Sequence, residues 1–194
     1  MRMNKPRATL ATCSGAHVLH DGLTDVLYVL LPVIAQTFGL NYAQIGLIRS
    51  ANKAALAVFQ LPAGLAAERF GERGLLALGT ACAGLGFVAL GFASGFVAIL
   101  AALFLAGLGS AVQHPLSSAM ISNAYPADGR RIALGTYNFA GDLGKVSVAG
   151  LFSVLFAAGL GWQGPAIATG VFAIAAAAVF YALLGMAGVG GGPR

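Results

Sequence analysis

Charge is what these 194 residues have least of. Asp, Glu, Lys and Arg together make up 9%, where a soluble domain carries roughly a quarter, and that scarcity excludes an ordinary water-soluble fold. Cysteine is nearly absent as well. Cys13 and Cys82 suit two free thiols in a reducing or lipid setting, and a disulfide framework is excluded. The glycine pairs Gly84/Gly86 and Gly107/Gly109 lack the lysine that a phosphate loop needs, so they read as close helix contacts and give no nucleotide site. A cleavable signal peptide is not expected, because the first apolar segment is too long and is interrupted by acids. No motif for a nucleophile, cofactor or resident metal stands out, so neither an enzyme nor a bound cofactor is expected.

What the chain has instead is apolar length. Hydrophobic residues make up 58%, and the mean hydropathy is +0.84. A membrane-spanning helix needs about 20 such residues, and six segments qualify: 14–38, 42–67, 74–93, 96–123, 130–158 and 163–187. The expected fold is an all-α integral membrane protein. Residues 1–13 form an N-terminal segment, 14–187 a six-helix membrane domain, and 188–194 a glycine-rich tail. Turn residues fall between the spans, and the connections are too short for neighbouring helices to be anything but antiparallel.

The bases orient the bundle. Eight of the eleven Lys and Arg lie outside the spans or at their ends: Arg2, Lys5, Arg7, Arg69, Arg73, Arg130, Arg131 and Arg194. All eight belong to one side, and the loops of the other side are uncharged. The positive-inside rule therefore places both termini in the cytoplasm of a bacterial-type inner membrane. A basic inner rim accounts for the formal charge of +5 without a nucleic-acid partner.

Six charges remain inside the spans: Asp21, Asp25 and Asp142 against Arg49, Lys53 and Lys145. Each costs about 2.5–3.5 kcal/mol on insertion scales, so such residues face a bundle interior or a water-filled cavity. They form stripes at helical spacing. His17, His20, Asp21, Thr24, Asp25 and Tyr28 share a face of the first span. Arg49, Asn52, Lys53 and Gln60 share one on the second, and Asn138, Asp142 and Lys145 one on the fifth. The fourth span adds Ser110, Gln113, His114, Ser117 and Ser118, whereas the third and sixth contain no acid, base or histidine. Asp21, Asp25, His17 and His20 are read as candidate proton carriers. His17, His20 and Asp21 offer metal-ligand types on adjacent turns, but no cysteine or methionine cluster supports a metal. Tyr28, Arg49, Asn52, Lys53, Gln113, His114, Asn138, Asp142 and Lys145 are candidate substrate contacts. Asp142 and Lys145, three apart, also suit simple mutual neutralisation. His114 before Pro115 suits a polar group beside a helix kink.

Between the second and third spans lies Gly64-Leu-Ala-Ala-Glu68-Arg69-Phe-Gly71-Glu72-Arg73. Gly64 would allow a close helix approach and Gly71 the positive φ of a tight turn. This spacing resembles the loop between the second and third helices of major facilitator superfamily transporters, G-x-x-x-D-R-x-G-R-R. Glu68 stands for the usual Asp, and Glu72 for a base. Four further stretches resemble the fosmidomycin-resistance branch of that family: His17-x-x-x-Asp21-Gly-x-x-Asp25, Tyr28-x-Leu-Leu-Pro32, Phe38-Gly-Leu-x-Tyr-Ala-Gln-Ile-Gly46 and Gly107-Leu-Gly-Ser-Ala-x-x-His114-Pro115. Two departures stand beside the match. The arginine frequent in the fourth helix of the family is absent, and Asp142 with Lys145 replaces a Gly-Pro pattern in the fifth.

The resemblance implies a transporter of two six-helix halves, with the first, second, fourth and fifth helices of each half facing a central cavity. It implies that Gly64, Glu68, Arg69, Gly71, Arg73, Arg130 and Arg131 form a gating motif. The sequence contains one half, with no long connector and no second copy of the hairpin. The expectation is a homodimer about an axis along the membrane normal, surrounded by lipid, that moves a small polar or charged solute by secondary, proton-coupled transport. The alternatives are one half of a heterodimer, or a non-transporting or truncated membrane subunit, the latter motivated by the glycine-rich tail.

Overall fold

In the computed structural model, which describes residues 4–192, the chain folds into six antiparallel rods, two of them interrupted. Arg2 and Arg194, assigned above to the basic rim, lie outside the described residues. The first rod is α1 (Lys5–Asp25) and α2 (Leu27–Phe38), broken at Val26. Then follow α3 (Tyr42–Phe70), α4 (Glu72–Gly91), the broken pair α5 (Phe96–Ser110) and α6 (Gln113–Ala124), α7 (Ala127–Ala157) and α8 (Gln163–Met186).

The first helix begins at Lys5, nine residues before the expected Ser14, because polar residues start it before the apolar run does. The Asn4 side chain accepts the Arg7 N–H at 3.3 Å, and Pro6 occupies the first turn, where a missing N–H costs nothing. Residues 5–13, assigned above to a separate N-terminal segment, are thus a turn-by-turn extension of the first rod. The break between α5 and α6 has a similarly local cause. Pro115 cannot donate to the carbonyl four residues back, at Ala111, and its ring crowds that turn. Ala111 and Val112 accordingly leave the helix just before Gln113.

Five rods are long and apolar enough to cross a membrane. The remaining rod, α3, has 29 residues, about 43 Å at 1.5 Å per residue. Its length is ample, but Arg49, Asn52, Lys53 and Gln60 dilute its apolar character.

Glycine decides how closely the rods approach. A Cβ on Gly84 would lie 2.6 Å from the Gly170 carbonyl, one on Gly86 2.7 Å from that of Ala102, and one on Gly109 2.5 Å from that of Gly79. Gly107 is pressed against the Asn52 backbone. Both glycine pairs are therefore helix contacts, as expected. The resulting core stacks α4 against α8 and α5, α3 against α5, and α1 against α7, around Leu30, Ile34, Phe87, Leu90, Ile99 and Leu103. A second apolar cluster, with Cys13, Leu76, Met120, Tyr137 and Leu184, closes the end that holds the hairpin.

That hairpin is a single residue. Gly71, at φ 80 and ψ 149, ends α3 and begins α4, the positive φ expected of it. Gly64 differs from expectation, since nothing in the chain lies within 4 Å of a Cβ placed there. The close approach occurs at Gly71 instead, where a Cβ would lie 2.8 Å from the Gly190 carbonyl. The glycine-rich tail reaches this turn because Gly190 accepts the Arg73 N–H at 2.9 Å and the Arg73 guanidinium lies 4.6 Å over the Tyr181 ring. Gly71→Ala is expected to cost about 1–3 kcal/mol for the positive-φ, extended backbone alone and to push the tail away. Thermal unfolding in detergent and proteolysis of the tail would measure the two effects separately.

Candidate functional site

The third and sixth rods, free of acids, bases and histidines within their spans, pack on each other. The charged stripes of α1, α3, α6 and α7 are left on the opposite face. There a cavity of ≈ 240 Å³ is lined by Asp21, Thr24, Asp25, Lys53, Leu56, His114 and Lys145. Lys53 and Asp142 are exposed on this face, and Asn138, one turn from Asp142 on α7, is exposed too.

Asp21 is the hub. One carboxylate oxygen lies 3.2 Å from His17 Nε2 and 3.3 Å from Lys145 Nζ, and the other lies 3.6 Å from His114 Nε2. Lys145 is shared, since its ammonium also donates to Asp142 at 2.8 Å. The two groups thus do neutralise one another, but Lys145 reaches further, to α1. It does so because α1 and α7 are nearly in backbone contact. Gly144 abuts the Val18 backbone, Gly22 abuts Val148, and a Cβ on Gly141 would lie 2.5 Å from His17 Nε2.

His17 is held on every side. Its Nδ1 lies 2.8 Å from the Tyr137 carbonyl. A carbonyl can only accept, so Nδ1 carries the proton. The ring stacks on Tyr137 at 4.1 Å and stands edge-on to His114 at 4.9 Å. Asp25 forms a looser pair with Arg49, 3.9 Å away. Arg49 donates to the Thr24 carbonyl at 2.8 Å and lies 4.1 Å over the Tyr28 ring, so it ties α3 to the first rod.

Three candidates lie elsewhere. His20 is buried between α4 and α5, with Nε2 2.9 Å from Thr80 Oγ1 and Nδ1 3.1 Å from Ser110 Oγ. Thr80 already donates its hydroxyl proton to the Leu76 carbonyl. His20 Nε2–H must therefore donate to Thr80, while Nδ1 accepts from Ser110. A neutral, fully bonded imidazole joins three helices and does not face the cavity. Asn52 is buried and donates to the Leu103 carbonyl at 2.7 Å. Gln113, also buried, donates to Tyr137 Oη at 2.9 Å. Both hold helices together. In the hairpin, Glu68 and Arg69 are exposed, the Arg69 guanidinium lies 5.6 Å over the Phe70 ring, and Arg130 and Arg131 are exposed in the first turn of α7. Residues that sequence reasoning missed are Tyr137, Gly141 and Gly144, which position His17 and Lys145. The small-residue spacing Gly141-Asp-Leu-Gly144 was the available signal.

Fold and site together define a multi-pass helical membrane protein with a charged cavity on one face. The profile of the Major Facilitator Superfamily matches residues 13–189. Over 167 residues the chain is 31% identical to an uncharacterized MFS-type transporter, YfnC, of Bacillus subtilis, covering 85% of this chain and 40% of that protein. It is 29% identical over 137 residues to the fosmidomycin resistance protein of Escherichia coli, covering 70% and 33%. A bacterial homolog of the human lysosomal transporter Spinster, solved inward-facing and unoccupied, superposes with a TM-score of 0.77 at 21% identity, over 92% of this chain and 43% of that one. The chain belongs to the Major Facilitator Superfamily, a family of transporters and not of enzymes, and it spans about two fifths or less of the curated relatives it matches.

Proposed function

We propose that two copies of this chain pair about an axis along the membrane normal and form a secondary transporter for a small organic anion, driven by protons. One observation carries this reading: the charged face between α3 and α7 is uncovered within the chain. Lys53 and Asp142 stand exposed, and Asp21, Asp25, Lys53, His114 and Lys145 line one cavity. Charges at bilayer depth are stable only inside a bundle or beside water, and a second six-helix unit supplies that cover. In a two-fold pair each residue occurs twice.

Lys53 and Lys145 offer ammonium donors to a carboxylate, phosphonate or sulfonate group, and a dimer presents four of them. Transporters of this general kind bind near the midplane, at the interface of their repeats. Asp25, on the cavity wall and held by Arg49 at a loose 3.9 Å, is assigned the coupling proton. The rim that carries Lys5, Arg7, Arg69, Arg73, Arg130 and Arg131 faces the cytoplasm of an inner membrane, with both termini on that side. Proteoliposomes that contain this chain alone are expected to accumulate a labelled organic anion under an imposed proton gradient. Uptake equal to that of protein-free liposomes across a panel of carboxylates, phosphonates and sulfonates would refute the proposal.

A further inference from the structure

We propose that His17, Asp21 and His114 form a binding site for a divalent transition-metal ion of the zinc class, at the wall of the cavity where α1 meets α6. One ligand atom from each lies within 4.8 Å of the others. His17 lies 3.2 Å from one Asp21 oxygen and His114 3.6 Å from the other, close to the about 3.3 Å that separates neighbouring ligands around a tetrahedral ion with bonds of about 2.0–2.1 Å. Two imidazoles and a carboxylate suit zinc, cobalt or nickel, and are a poor match for magnesium or calcium.

The orientation of His17 adds to this. With its proton on Nδ1 directed at the Tyr137 carbonyl, the ring turns Nε2 toward a carboxylate oxygen 3.2 Å away, a gap that a proton or a metal ion can bridge. A carbonyl accepting from the far nitrogen, which fixes the ring and makes it more basic, is the usual support of a metal-bound histidine. Here the Tyr137 ring and the Gly141 gap hold it further. His114 has a side chain 41% exposed, so an ion can enter from the cavity and a fourth ligand position opens toward it.

The competing charge is Lys145, 3.3 Å from Asp21. Its bond to Asp142 at 2.8 Å gives it a second carboxylate, and an arriving ion would leave it there. This makes a directional test possible. Chain purified with an affinity tag free of histidine is titrated with Co²⁺ and followed by visible absorption and by calorimetry. The expected result is one Co²⁺ per chain with the intense spectrum of a four-coordinate site, displaced by Zn²⁺.

His114→Gln, on the cavity wall, is expected to weaken binding about a hundredfold, at least as much as loss of an outer-shell partner. Lys145→Met is expected to tighten it about tenfold by removing the rival cation. A structural role for these side chains would not produce opposite shifts, and unchanged elution and melting of both variants would show that they fold. Absence of a four-coordinate spectrum in the parent protein, or Co²⁺ affinity unmoved by both substitutions, would overturn the site. Neither outcome bears on anion transport, which the proteoliposome assay reads separately.

Discussion

Asp25→Asn is expected to abolish proton-driven accumulation while leaving exchange of solute across the membrane. The substitution removes a titratable group and keeps its shape, so the cavity wall and its packing survive. Of the two acids on α1, Asp25 suits this role by geometry. Asp21 is enclosed by His17, His114 and Lys145, whereas Asp25 has Arg49 at 3.9 Å and an open cavity in front of it. Arg49 is in turn anchored by the Thr24 carbonyl and the Tyr28 ring, so it stays in place when Asp25 gains a proton. Accumulation and counterflow measured in the same liposomes check the split. Loss of both would mean that Asp25 binds solute, and retention of both would place coupling elsewhere.

The second large effect is expected at the hairpin. In a two-fold pair arranged like the halves of the family, α3 of one chain meets α7 of its partner. Exposed Glu68 then approaches the partner's α7, whose N-terminus at Ala127 has no side-chain cap. An acid at such a terminus contributes about 1 kcal/mol, and symmetry gives two copies of the contact. It exists only while the inner mouth is shut, so Glu68→Gln is expected to shift the population toward the inward-open state by about tenfold or more, with unchanged amounts of folded protein. The reporter is a cysteine placed at Thr24, half-buried in the cavity wall, on a background without Cys13 and Cys82. Labelling from each side of the membrane reads the shift, and equal labelling with and without Glu68 would make the hairpin a turn and no gate.

Much of this architecture was legible in the sequence, and three of the misses share a cause. Apolar length marked the rods, and glycine with positive φ marked the turn at Gly71. The absence of charge from the third and sixth spans marked the side away from the cavity. His20, Asn52 and Gln113 were misplaced, and each immediately precedes a residue that does line the cavity: Asp21, Lys53 and His114. Successive helix positions differ by about 100°, so each sits at the edge of a stripe. There a neighbouring helix decides whether the side chain meets water or a carbonyl. The carbonyl of Leu103 and the hydroxyls of Thr80 and Tyr137 took these three. Those partners are 51, 60 and 24 residues away in sequence, and helix periodicity has no access to them. The early start of α1 was missed for a different reason: Asn4 and Pro6 signal a helix start in polar sequence, ahead of the hydropathy used to mark the span.

The central claim is that a second copy covers the charged face. Leu65 on α3 and Ile132 on α7 are both exposed, Leu65 five residues before the end of α3 and Ile132 five residues after the start of α7. Both replaced by cysteine in a chain lacking Cys13 and Cys82, and oxidised in the membrane, they are expected to link two chains into a species of twice the monomer mass. A chain that stays monomeric under oxidation while the same membranes accumulate anion would contradict the account.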